Sequence, residues 1–183
     1  LRKHAQIVLA GQPRFKHMTV RKYERHFKPF LEGAYGLKPE RVAAMREPLE
    51  YLRSWYKYRQ RPELTRASQS TENVSFEEFA LAAIASDPPA YAAVGPQLEF
   101  LSNATGEVGI HHLFSHEDGL MTAFISERLG KDVRTKPHNV SPIVPTDLSA
   151  EADQRIRTAL AADYAIWDRI RAAGGYLPTG YGT

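Results

Sequence analysis

Apolar residues recur at helical spacing through most of this chain and form short unbroken runs in two places. Residues 1–9 read as helix, and Gly11 and Pro13 break it. Thr19 is placed to cap a second helix reaching about Leu31, with Tyr23, Phe27 and Phe30 along one side. Gly33 and Gly36 end it. Arg41–Met45 is a short apolar run, predicted to be a buried strand of a parallel sheet. Pro48 suits the first turn of the next helix, where its missing N–H costs nothing. Leu49, Leu52 and Tyr56 line that helix's inner face, and it fades near Arg61 and Pro62.

Residues 62–74 are polar and read as a loop. Ser75-Phe-Glu-Glu78 is a capping box for a helix reaching about Ala85. Gln97–Ser102 fits a short strand or a short helix, and Val108–Phe114 a second strand. Glu117 and Asp118 lead a helix with Met121, Phe124, Ile125 and Leu129 inward, stopped by Gly130. Ser149 caps a last helix, whose Ile156, Leu160, Tyr164, Trp167 and Ile170 form one amphipathic stripe. Residues 172–183 read as a flexible tail. The order of elements predicts one helix-rich α/β domain over residues 1–183, a three-layer arrangement of a short parallel sheet flanked by helices.

Composition narrows the function classes. The 183 residues suffice for one domain with its own core, and 43% hydrophobic with 25% charged residues suits a globular chain. Cysteine is absent, which removes any disulfide framework and predicts a reducing, cytoplasmic setting. No apolar run approaches the roughly 18 residues of a membrane span. The formal charge of +3 suits an anionic ligand, yet the basic residues are dispersed and form no nucleic-acid motif. No His, Asp and Glu cluster has ligand spacing, so no metal is expected. Leu1 opens a stretch that reads like the middle of a helix, which predicts an N-terminally truncated domain.

Anion chemistry has one well-placed candidate. In an open parallel sheet, ligands bind beyond the carboxyl ends of the strands. Arg46 follows the first predicted strand directly, and the helix opened by Pro48 adds partial positive charge and unpaired N–H groups. The guanidinium is a planar fork suited to phosphate. Ser54 lies about two turns into that helix and faces the same anion if the ligand lies along the helix side. The alternative is a surface arginine and an ordinary helical serine.

The pattern strand-Arg46-Glu47-Pro48, then Ser54-Trp55-Tyr56, resembles the 3′-phosphate-binding segment of sulfotransferases that use 3′-phosphoadenosine-5′-phosphosulfate. "HHLFSHEDGLMTAFISERLG" resembles the strand, acidic turn and helix of bacterial members, with His116 in place of their usual tyrosine. "KPHNVSP" and "FKHMT" are similar to segments before the last helix and near the acceptor. The resemblance implies a P-loop-like fold, with Arg46 and Ser54 holding the 3′-phosphate and Asn139 touching the nucleotide. It implies sulfuryl transfer to a hydroxyl or amine of a carbohydrate, lipid or small metabolite, with His17 as general base. The family's Pro-Lys-Thr-Gly-type loop for the 5′-phosphosulfate does not occur in this chain, so the alternative is a non-catalytic binding or structural module that keeps the fold.

Other conspicuous residues have plainer readings. His17 has a competing reading as a solvated loop residue beside a helix cap. His111 and His112 alternate along a strand, so one faces inward whatever the function. Glu117 and Asp118 are acids at a helix start, favoured there by the dipole. Lys57, Arg59 and Arg61 suit a solvated helix face, and Trp55 and Tyr58 suit packing.

Overall fold

Local signals build most of the elements where the sequence places them. The computed structural model describes residues 18–134 and 142–181. The Thr19 hydroxyl accepts from the Lys22 N–H and starts a helix, α1, that runs through Val20–Lys22, Tyr23–Phe27 and Lys28–Tyr35. Its middle five residues are wound as a π-helix, and Gly36, at φ 62°, closes it in the left-handed conformation. Strand β1 is Val42–Met45, and helix α2, Pro48–Arg59, follows with Pro48 at its first turn. After a short 3-10 turn at Pro62–Leu64 comes α3, Phe76–Ala83, capped by the Ser75 hydroxyl on the Glu78 N–H.

Gln97–Leu101 settles as a short helix, α4. Strand β2 is His112–Ser115, shorter than the predicted run. Helix α5 is Leu120–Leu129 and ends on Gly130, as expected, but its N-cap is Gly119 and the two acids precede it. Ser149 caps α6, Ala150–Ala159. The predicted last helix is broken at Leu160, and α7, Ala161–Ala172, continues from there.

The sheet has three strands in the order β1-β2-β3. β1 and β2 are parallel, as predicted, with Met45 opposite Ser115. The third strand corrects the expectation of a flexible tail and of an all-parallel sheet. Tyr176–Pro178 forms β3 and pairs antiparallel with β2, Tyr176 opposite Phe114. Gly174 and Gly175, both at positive φ, turn the chain back from α7 into this strand.

Alternation along β2 sends side chains to two layers. Leu113 joins Met45, Trp167 and Ile170 in one core, on the α7 side. His112 and Phe114 meet Phe124 of α5 on the other side, at ring separations of 4.6 and 5.3 Å. The result is a helix-rich α/β arrangement with a small mixed sheet between helices.

There is a second core. Leu49, Leu52 and Tyr56 of α2 pack with Phe76, Phe79 and Ala80 of α3 and Ile156 of α6. The break at Leu160 has a physical reason in this division. Ile156 serves one core while Trp167 and Ile170 serve the other, so the single predicted stripe turns between them. The chain also passes from one core to the other between Met45 and Leu49, and Arg46 and Glu47 lie on that passage.

Candidate functional site

Arg46 is the first residue beyond the carboxyl end of β1, and His116 is the first beyond that of β2. Because Met45 and Ser115 are register partners, the two following residues are neighbours, and the His116 N–H donates to the Met45 carbonyl at 2.9 Å. Their side chains meet as well: Arg46 Nη2 lies 3.0 Å from His116 Nε2. Arginine has donors only, so Nε2 accepts and the imidazole is in its neutral form. Partial desolvation of the exposed residue's ring pushes the His116 pKa down, the adjacent Arg46 charge pushes it further, and Glu117 opposes them.

The backbone of Arg46 is held from the other side. Its N–H donates to Gln97 Oε1 at 3.0 Å, and its carbonyl accepts from Gln97 Nε2 at 2.9 Å. Gln97 is itself buried at the start of α4. The remaining guanidinium N–H groups of Arg46 have no partner among the described residues, and the side chain is partly exposed. A fork with donors to spare, carried on a backbone clamped at a sheet's carboxyl edge, has the chemistry to accept an oxyanion.

The start of α2 contributes less than its dipole suggests. Glu47 is its N-cap, and its carboxylate accepts from the Glu50 N–H at 2.7 Å, so one free helix donor is already taken. The same carboxylate lies near Tyr164 of α7, whose phenol is pushed up by burial and then by Glu47. Ser54 lies seven residues beyond Glu47, about 10 Å along the helix. It is partly buried on the side of α2 away from Leu49, Leu52 and Tyr56, and its hydroxyl has no hydrogen bond among the described residues. No hydrogen bond joins Arg46 and Ser54; the side-chain partner of Arg46 is His116. His17 and Asn139 lie outside the described residues.

Several other residues take roles that spacing did not suggest. Arg59, expected on a solvated face, is 4% exposed, stacks over Trp55, and donates to the carbonyls of Ala90 and Ala93 at 3.1 Å each. Burial pushes its pKa down. Trp55 and Tyr58 are platforms for Arg59 and Arg61. His112 is the inward histidine: its Nδ1 lies 2.9 Å from the Tyr176 hydroxyl and its Nε2 3.2 Å from Glu40. His111 Nδ1 accepts from the Arg41 N–H at 2.9 Å, and its pKa is lowered by burial and then by Arg41. Glu117 accepts from the Ser115 hydroxyl, and Asp118 pairs with Arg171 at 3.1 Å, which are structural roles.

Signals for the two residues that frame Arg46 were weak. Gln97 and His116 lie 51 and 70 positions away. Among the described residues no group of three His, Asp or Glu gathers as a metal site, and no helix is long and apolar enough to cross a membrane. No protein-family model matches the chain, and neither a curated protein nor a solved structure shows significant similarity to it.

Proposed function

We propose that this chain is a sulfotransferase-like domain that binds the 3′-phosphate of 3′-phosphoadenosine-5′-phosphosulfate through Arg46. The observation that supports it is the position of Arg46: directly past the carboxyl end of a parallel strand, its backbone held by Gln97, with guanidinium donors free. The Arg46-Glu47-Pro48 and Ser54 pattern, with its likeness to the sulfotransferase segment, supplies the identity of the anion. The partly buried, unbonded Ser54 hydroxyl is a second donor along α2. Asn139 is assigned to the nucleotide on sequence resemblance alone.

In the reaction proposed, an acceptor oxygen or nitrogen forms a bond to sulfur as the bond from sulfur to the 5′-phosphate oxygen breaks. The acceptor's proton passes to the base, assigned to His17 on sequence grounds, and 3′,5′-adenosine bisphosphate leaves. Such a transfer, like phosphoryl transfer, depends on alignment and charge stabilisation more than on covalent chemistry.

The second reading, a non-catalytic module, draws support from Glu47. Its carboxylate satisfies an α2 N–H that a ligand anion would otherwise take. Calorimetry with 3′,5′-adenosine bisphosphate separates the cases. The wild-type chain is expected to bind it, and Arg46→Ala to lose about tenfold to a hundredfold in affinity, the worth of a charged hydrogen-bonded contact. No binding by the wild type favours the module, and binding unchanged by the substitution removes Arg46 from the site.

A further inference from the structure

The contact between Arg46 and His116 constrains what can bind there. In the absence of a ligand, the Arg46 N–H is accommodated by a neutral imidazole at 3.0 Å. A tetrahedral oxyanion that approaches the guanidinium competes with Nε2 for the same N–H. While the ring is neutral with its lone pair on Nε2, as the Arg46 contact requires, that lone pair faces the incoming anion and repels it. When the ring is protonated, Nε2–H becomes a donor, and two cations converge on one gap. That state is unfavourable when the gap is empty and favourable when an anion fills it.

We infer that Arg46 and His116 together form an oxyanion site in which binding of a divalent anion is coupled to uptake of a proton by His116. The inference rests on the same Arg46 site as the sulfotransferase reading and adds its second ligand and its regulation. The charged groups acting on His116 are Arg46, from the β1 end, and Glu117, from its own turn. Glu117 does not occupy the gap as an internal anion, because the buried Ser115 hydroxyl holds its carboxylate at 3.0 Å. His116 is exposed and Arg46 partly so, which leaves the pair open to a ligand. The low proton affinity of the unliganded ring agrees with this geometry, since part of it comes from Arg46 itself.

Sulfate is the discriminating probe, because it remains a dianion across the range in which phosphate titrates. Sulfate binding is followed by calorimetry at about pH 7.5 and about pH 5.5, and His116 by NMR, with His116→Gln assigning its resonance. Affinity is expected to rise as pH falls, by up to about tenfold per pH unit between the free and bound pKa values. Sulfate is expected to raise the pH at which His116 titrates. His116→Gln retains an acceptor for Arg46 and cannot take a proton there, so its sulfate affinity is expected to be independent of pH. Equal wild-type affinity at both pH values, an unmoved His116 titration, or the same pH slope in His116→Gln would overturn the inference. Nucleotide binding through Arg46 without this coupling leaves the sulfotransferase reading standing and removes the inference. The coupling with sulfate, in a chain that does not bind 3′,5′-adenosine bisphosphate, does the reverse.

Discussion

The carboxamide of Gln97 binds both the N–H and the carbonyl of Arg46, as a neighbouring strand would. β1 is an edge strand, and at Arg46 its outward-facing backbone groups would otherwise lack partners inside the protein. Gln97→Ala is therefore expected to leave two partly buried polar groups unmet. Stability should fall by about 1–3 kcal/mol, measured by urea unfolding. Affinity for 3′,5′-adenosine bisphosphate should fall too, since the backbone that carries the guanidinium is no longer held in place. An unfolding midpoint equal to wild type would show that the edge needs no such partner.

Asp163 gives a pH-dependent prediction. It is 4% exposed, and its Oδ1 accepts from the Leu98 N–H at 3.1 Å, where Pro96 supplies no side-chain cap for α4. Burial pushes its pKa up, against the N–H groups of Leu98 and Gln97, which pull it down. A carboxyl whose folded pKa is raised favours folding most when protonated. That contribution is complete below the unfolded-chain value near 3.9 and is lost as pH rises through the folded value. An asparagine in its place does not titrate. The stability of Asp163→Asn relative to wild type should become more favourable from about pH 4 to about pH 7. Parallel stability curves for the two proteins would contradict this.

Gly109 is required by close approach and not by backbone conformation. A β-carbon there would lie 2.5 Å from Cγ1 of Val20, which is 4% exposed in the core beneath α1. Gly109→Ala is expected to cost about 1–3 kcal/mol through overpacking. The double variant Gly109→Ala with Val20→Ala should be less destabilised than the sum of the two single changes, because the pair shares one space. Additive thermal or urea data would place the cost elsewhere.

Much of the fold was legible because the signals that set it are local. Thr19, Ser75 and Ser149 cap helices within three residues of themselves, and Pro48, Gly36 and Gly130 mark ends by their own backbone preferences. β3 was not legible. Tyr176–Pro178 has little hydrophobic pattern and is a strand because β2 offers an edge and Phe114 a ring to stack on, at 4.6 Å and 11°. The burial of Arg59 was not legible for a similar reason: nothing nearby in the chain shows that the carbonyls of Ala90 and Ala93 will enclose its fork. At the site, Arg46 could be picked out from strand end and helix start, both within a few residues. His116 could not be matched to it, because that pairing depends on which residues of two distant strands fall in register.

The place of β3 in chain order bears on how the protein is made. While a ribosome is still synthesising α7, β2 has one edge uncovered, and Phe114 lacks the Tyr176 ring that later lies flat against it. The sheet can be finished only after Pro178 has emerged. From the completion of β2 until β3 follows it, the nascent chain carries a sticky strand margin, open to pairing with its neighbours.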